Sequence, residues 1–91
     1  MADVVVLMMP PFKRGYKKLH QNQKAAVNEA IAEITRNPEI GTLKKGDLAG
    51  VYVHKFPCVN QTMLLSYEFD PDTRILLYLG VHENFYRDMK R

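Results

Sequence analysis

In the first part of the chain, an apolar run followed by apolar residues at helical spacing predicts a strand and then a helix. Residues 4–9 are aliphatic or β-branched and end at two prolines, which indicates a short buried strand. Phe12, Tyr16 and Leu19 then recur at i, i+4 and i+7. This spacing predicts a first helix over about residues 12–20, with one apolar side.

A second amphipathic helix is predicted over about residues 23–36, with Asn22 as its N-cap. Its apolar stripe consists of Val27, Ala30, Ile31 and Ile34. Pro38 ends it, because the residue before a proline is pushed out of the α region. Since only two or three residues join the two helices, they are expected to form an antiparallel hairpin.

The apolar period then changes from 3.6 to 2, which is typical of strands. The predicted strands cover residues 48–56, 62–69 and 74–81. Residues 70–73 favour a type I turn and predict a hairpin, while residues 56–61 predict a looser connection. Residues 83–91 predict a short final helix, with an acid at its start and basic residues at its end.

These elements predict one α+β domain over residues 1–91. It would have an N-terminal strand, a helical hairpin packed on a mainly antiparallel four-stranded sheet, and a short C-terminal helix. The composition is that of a small globular domain, with 46% hydrophobic and 25% charged residues. No apolar run is long enough to cross a membrane or resembles a signal peptide. The single cysteine cannot form a disulfide within the chain. We therefore expect a cytoplasmic protein that does not bind membranes.

Basic residues are concentrated in the predicted first helix. The net charge is only +3, yet residues 13–24 contain no acid. Lys13 and Lys17 form one i, i+4 row of like charge, and Arg14 and Lys18 form another. An anionic surface such as an RNA backbone would stabilise these rows, although a solvated basic face is equally consistent with the pattern.

The candidate chemistry is that of a ribonuclease without a metal. The three histidines are too widely spaced for a compact metal motif, and no sequence feature implies a cofactor. His54 on a predicted strand and His82 just after another could approach each other in a small sheet. The surrounding candidates are the cations Lys44, Lys45, Lys55 and Arg74 and the aromatic residues Tyr52, Tyr78, Phe85 and Tyr86. Imidazoles, cations and stacking rings suit RNA cleavage, although a lone strand histidine is more often structural.

Three segments, together with the element order, resemble the RelE/ParE superfamily of bacterial toxin–antitoxin modules. They are Phe12-Lys-Arg-Gly-Tyr-Lys-Lys-Leu19, Leu43-Lys-Lys-Gly-Asp-Leu-Ala-Gly50 and Leu79-Gly-Val-His-Glu-Asn-Phe-Tyr86. The last is most similar to the YafQ branch of ribosome-dependent messenger-RNA endonucleases. In that branch a histidine near the end is essential, and it falls on His82. A second histidine of the branch falls on His54.

The resemblance implies a mechanism, a fold and partners. His82 would be the general base, His54 the general acid, and Lys55, Lys44 or Arg74 the phosphate stabiliser. Tyr86 or Phe85 would be the nearby aromatic residue. The basic first helix, with Lys44 and Lys45, would contact ribosomal and messenger RNA, and a cognate antitoxin would neutralise the toxin.

Two other functions stay open. ParE-like members of the superfamily share the fold but poison DNA gyrase, and they do not need the histidine pair. The chain could also be an inactive module that only binds an antitoxin. Toxicity, transcript cleavage and gyrase inhibition would separate the three.

Overall fold

Two helices pack on one face of a five-stranded sheet in a computed structural model, which describes residues 4–44 and 50–81. The helices are α1 (Pro10–Lys17) and α2 (Gln21–Arg36), and a short 3-10 turn follows at Pro38–Ile40. The strands are β1 (Val5–Met8), β2 (Thr42–Leu43), β3 (Tyr52–Cys58), β4 (Gln61–Asp70) and β5 (Thr73–Val81).

The order of strands in the sheet is β1-β5-β4-β3-β2. Strands β2 to β5 pair antiparallel with their neighbours, whereas β1 runs parallel to β5, with Val6 opposite Arg74. The last described strand therefore lies inside the sheet, between the first strand and β4. Helix α1 follows β1 directly and packs over β5, so β1 and α1 both depend on β5 for their position.

Alternate residues of the strands face the helices and form the core. On β3 these residues are Tyr52, His54, Phe56 and Cys58. They lie in one layer with Leu65 and Tyr67 of β4 and with the buried side of α2, which includes Val27, Ala30 and Ile34. Residues one position along in the same strand, such as Val53 and Lys55, point to the opposite face because the side-chain period of a strand is two.

The predicted α+β class is confirmed, and both predicted helices are present. Helix α2 begins at Gln21, so the prediction of Asn22 as its N-cap was wrong. His20 is the N-cap, and its backbone N–H donates to Oε1 of Gln23 at 2.8 Å. The two-residue β2 adds a fifth strand. Residues 83–91, predicted to be a helix, lie outside the described residues, as do residues 48 and 49 of a predicted strand.

The connection between β3 and β4 is tighter than predicted. Only Val59 and Asn60 separate the two strands, and Val59 has a φ of 61°. A β-branched side chain is strained in this left-handed region. The β4–β5 hairpin is confirmed at its predicted position, where the side chain of Asp70 accepts a hydrogen bond from the backbone N–H of Asp72 at 2.9 Å.

A buried tyrosine joins the sheet to the turn after α2. The hydroxyl of Tyr67 donates to the carbonyl of Pro38 at 2.6 Å and accepts from the N–H of Gly41 at 3.1 Å. Gly41 lies so close that a Cβ atom there would be 2.7 Å from the Tyr67 hydroxyl and 3.0 Å from the carbonyl oxygen of Val53. The turn is therefore fixed by this one side chain and by a position that accepts only glycine without displacement.

Candidate functional site

One face of α1 is an exposed cluster of positive charge, which we call the basic face. It consists of Lys13, Arg14 and Lys17 of the helix and of its C-cap residue Lys18, all of them exposed. Within the described ranges, none of the four lies within 4.0 Å of a carboxylate. An uncompensated group of four cations on one helix attracts a polyanion and loses that attraction as salt is added.

The opposite side of α1 explains why this helix is held so firmly. Phe12 is fully buried in the core, and Gly15 faces the backbone of β5. A Cβ atom on Gly15 would lie 2.9 Å from the carbonyl oxygen of Leu79, closer than real Cβ contacts come. The close approach of helix and strand directs the basic face away from the sheet.

His54 lies in the interior, beneath α2. It is only 8% exposed, and its ring is nearly parallel to that of Phe56, with 5.7 Å between the ring centroids. Its Nε2 atom is 3.7 Å from Oε1 of Glu33 and has no hydrogen-bond partner. This position corrects the expectation that His54 acts as a general acid on RNA, because an imidazole so covered does not meet a substrate at the surface.

Lys55 is exposed on the other face of the sheet. It follows His54 directly in β3, so the two side chains must point to opposite faces and cannot belong to one site. Lys44 continues the pairing of β2 with β3, since its N–H donates to the carbonyl of Val51 at 2.8 Å. This register places Lys44 and Lys55 on the same face of the sheet, away from the helices.

Arg74 caps the C-terminal end of α2. It is 5% exposed, and its Nε and Nη2 atoms donate to the carbonyls of Ile34 and Thr35 at 3.1 and 3.0 Å. Nη1 donates to the carbonyls of Asp70 and Thr73 at 2.7 and 3.1 Å. A guanidinium at a helix C-terminus is stabilised by the helix dipole. The expectation that Arg74 stabilises a phosphate is therefore corrected, because the side chain is buried and four of its five N–H donors are already used within the fold.

The remaining predicted site residues, Lys45, His82, Phe85 and Tyr86, lie outside the described residues. The structure thus brings together the four residues of the basic face, and it brings Lys44 and Lys55 to one face of the sheet. It separates both groups from His54 and Arg74, which lie in the core layer. The sequence already contained a signal that His54 faces the core. Its neighbours on the same side of the strand, at intervals of two residues, are Tyr52, Phe56 and Cys58.

A groove of about 280 Å³, which no sequence pattern predicted, lies between α2 and β3. This α2–β3 groove is lined by Ala25, Ala26, Glu29, Ala30, Glu33, Phe56 and Pro57. The spacing of its small and acidic residues along one side of α2 was visible in the sequence. Only the position of α2 over β3 shows that they line a concave surface.

Other features of the described ranges have no assigned chemistry. The Cys58 thiol is buried and points to the carbonyl of Gln23 at 3.7 Å, and burial raises its pKa. No three His, Cys, Asp or Glu side chains come together there as metal ligands do. No helix in this part of the chain is long and apolar enough to cross a membrane.

Comparison with solved structures places the fold among bacterial toxins. The chain is similar to a chain of the toxin–antitoxin complex RelBE2 from Mycobacterium tuberculosis, with a TM-score of 0.72, 26% identity and coverage of 90% of this chain and 94% of that one. A mutant of the toxin RelE from E. coli in the free state gives a TM-score of 0.73 at 15% identity, with coverage of 99% and 94%.

The YoeB dimer from Staphylococcus aureus gives a TM-score of 0.69 at 21% identity, covering 89% of this chain and 99% of that one. No curated protein matches the chain in sequence. The resemblance to the RelE/ParE superfamily is nevertheless confirmed at the level of the family. A family model described as the ParE-like toxin of type II bacterial toxin–antitoxin systems matches residues 6–90, and the chain belongs to that family.

Proposed function

We propose that this toxin arrests growth by cleaving messenger RNA on the ribosome, and the basic face of α1 carries the proposal. Four exposed cations without a carboxylate neighbour in the described residues are a surface for the RNA backbone. Contacts with phosphate position a protein without reading sequence. The basic face would therefore hold the toxin on ribosomal RNA while other residues act on the messenger.

The chemistry we propose needs no metal. The RNA 2′-hydroxyl gives its proton to a base and attacks the adjacent phosphate, the bond from phosphorus to the 5′ oxygen breaks to leave a 2′,3′-cyclic phosphate, and the 5′ oxygen takes a proton from water. By the resemblance to the YafQ branch we assign the base to His82 and the role of the branch's aromatic residue to Tyr86 or Phe85. Lys55 is the cation that we assign to the phosphate, because it is exposed on the face away from the helices. His54 and Arg74 are left out of this site.

Mapping of transcript ends after induction tests the cleavage. His82→Gln should lower cleavage by at least about a hundredfold, as expected for a proton-transfer residue. His20→Gln is the matched control and should leave cleavage unchanged, because His20 is exposed at the start of α2. His54→Gln should lower stability but preserve cleavage by the folded fraction. Full cleavage by a folded His82→Gln protein would remove the base from the proposal.

Ribosome binding across a salt series tests the basic face. The double variant Lys13→Gln/Lys17→Gln should weaken binding and reduce the slope of log K against log salt by about two, one unit for each lost phosphate contact. Lys24→Gln/Arg36→Gln removes the same charge from α2 and is the matched control. Equal losses of ribosome affinity in the two variants would show that binding depends on net charge alone and would refute a contact through α1.

The partner supported by the family and by the toxin–antitoxin complexes among its structural neighbours is a cognate antitoxin. Free toxin should stop growth, and co-expression of the antitoxin should restore it. Normal growth at high levels of folded, unpartnered protein would contradict a toxin of either kind.

A second candidate function is inhibition of DNA gyrase, the alternative known for ParE-like toxins. The observation in its favour is that the described residues do not offer His54 and Arg74 for acid–base and phosphate chemistry, because both are buried. A supercoiling assay with purified gyrase separates the two candidates. Inhibition by wild type and by His82→Gln alike, without transcript cleavage, would replace the nuclease by the gyrase poison.

A further inference from the structure

We propose that the α2–β3 groove binds an arginine side chain carried by a partner polypeptide, with aliphatic residues on either side of that arginine. This inference goes beyond the toxic activity, because it concerns the helix side of the sheet and does not depend on whether RNA or gyrase is the target.

The walls of the groove suit apolar side chains. Ala25, Ala26 and Ala30 of α2 leave space because each ends at Cβ, and Phe56 and Pro57 of β3 form the other wall. The groove volume of about 280 Å³ is near the lower end for binding pockets and fits a few side chains rather than a large cofactor.

Two carboxylates give the groove its charge. Glu29 and Glu33 both line it and are four residues apart on α2, where like charges destabilise a helix. Neither has a Lys or Arg within 4.0 Å among the described residues, although the chain carries a net charge of +3. A cation from another molecule would relieve this repulsion.

The carboxylate of Glu33 faces a buried imidazole without a hydrogen bond between them. Nε2 of His54 is buried, lacks a hydrogen-bond partner and lies 3.7 Å from Oε1 of Glu33, which is too long for a hydrogen bond. The imidazole is covered by the core, so it does not bind a ligand itself, and the described residues leave Oε1 of Glu33 without a hydrogen bond. A guanidinium carries five N–H donors in a rigid fork, so it can serve the carboxylates of Glu29 and Glu33 together, which an ammonium on a flexible stem does less well.

The edge of β3 explains why side chains, and not strand addition, would dominate binding. The backbone N–H and C=O groups of Val51 and Val53 face β2. Because these groups point to the same edge at every second residue, those of Lys55 and Pro57 face the same, outer edge beyond the end of β2. Pro57 has no N–H to donate. An added strand would find few backbone partners along this edge, and the acidic groove would have to supply the affinity.

An NMR titration of the free protein with two synthetic peptides tests the proposal. The probes are acetyl-Leu-Arg-Leu-amide and the same peptide with neutral, nearly isosteric citrulline in place of arginine. We expect the arginine peptide to shift the backbone amides of Ala25, Ala26, Glu29 and Glu33. The citrulline peptide should bind at least about tenfold more weakly, which corresponds to about 1.4 kcal/mol.

Charge-matched variants make the test specific. Glu29→Gln/Glu33→Gln should abolish the preference for arginine over citrulline, whereas Glu39→Gln/Glu68→Gln, which removes two exposed carboxylates elsewhere, should preserve it. Ala25→Leu, at an exposed position of the groove, should weaken both peptides by filling space.

Four results would overturn the proposal. They are equal binding of the two peptides, shifts confined to another surface, no shifts at millimolar peptide, and shifts of the groove amides on dilution of the protein alone. The last result would assign the groove to a second copy of the chain. None of these measurements involves ribosomes or gyrase, so a failure here is distinguishable from a failure of the proposed function.

Discussion

Removing one buried hydroxyl should destabilise the whole domain. In Tyr67→Phe the ring stays and no cavity forms, but the carbonyl of Pro38 and the N–H of Gly41 both lose their partner. A hydrogen bond contributes about 0.5 to 1.5 kcal/mol, and a group left unsatisfied costs more. Because Pro38 and Gly41 are half-buried, water replaces part of the loss. We expect a decrease of about 2 kcal/mol in the free energy of unfolding.

Thermal and urea unfolding followed by circular dichroism measure this change. A loss of about 2 kcal/mol lowers the Tm of a domain of this size by about 8 to 16 °C. Tyr16→Phe is the matched control, because the Tyr16 hydroxyl donates to Oδ1 of Asn28 at an exposed site and should matter by less than about 0.5 kcal/mol. A Tyr67→Phe protein as stable as this control would refute the reasoning.

Alkaline pH gives an independent check on the same residue. Burial raises the pKa of Tyr67 above its usual value of 10.0, and the N–H of Gly41 opposes that shift. The unfolded chain therefore loses the phenolic proton first as pH rises, so unfolding becomes easier above about pH 10. The stability advantage of wild type over Tyr67→Phe should be complete below pH 10 and should shrink above it. An advantage that grows with pH would contradict a raised pKa.

The neighbouring glycine should be coupled to the tyrosine. Gly41→Ala places Cβ against the Tyr67 hydroxyl, so part of its cost disappears when that hydroxyl is absent. In a double-mutant cycle, Gly41→Ala should cost about 1 kcal/mol less in Tyr67→Phe than in wild type. Additive losses would show that the carbonyl of Val53 and the ring of residue 67, and not the hydroxyl, exclude a side chain at position 41.

Three further substitutions or reactions test other parts of the fold. Val59→Gly should raise the free energy of unfolding by about 0.5 to 1 kcal/mol in urea, because it relieves a positive φ, and a decrease would contradict the strain. Gly15→Ala should lower stability by about 1 kcal/mol through contact with the Leu79 carbonyl, although alanine favours helices; a gain would mean that α1 moves freely. Cys58 should react with iodoacetamide at pH 8 at least about tenfold more slowly in the native protein than in urea, and equal rates would show that the thiol is accessible.

Local periodicity was sufficient to predict the helices and the β4–β5 hairpin, because the residues involved are neighbours in sequence. The partner of β1 is β5, more than sixty positions later, and no local pattern encodes such a pairing. The two-residue β2 is likewise too short to show a period.

The candidate site was predicted less well than the fold, for different reasons at each residue. The basic face was predictable because four cations recur at helical spacing and face solvent. The separation of His54 from Lys55 follows from strand geometry, because consecutive residues of a strand face opposite sides, and residue types alone do not contain this information. No local pattern predicted that Arg74 caps a helix, because this role depends on the end of α2, about forty residues earlier in the chain.

The interior position of β5 determines the order in which this chain can fold. The β3–β4–β5 meander is made of contacts between sequence neighbours, so it is the part that can form early. Both β1 and α1 need β5 as a template, which makes their docking a late, long-range step. A φ-value analysis should therefore find high values in the β4–β5 hairpin and low values at Phe12. The basic face would then reach its final position only after β5 has joined the sheet. In partly folded chains its four cations would be present but not yet held on one surface.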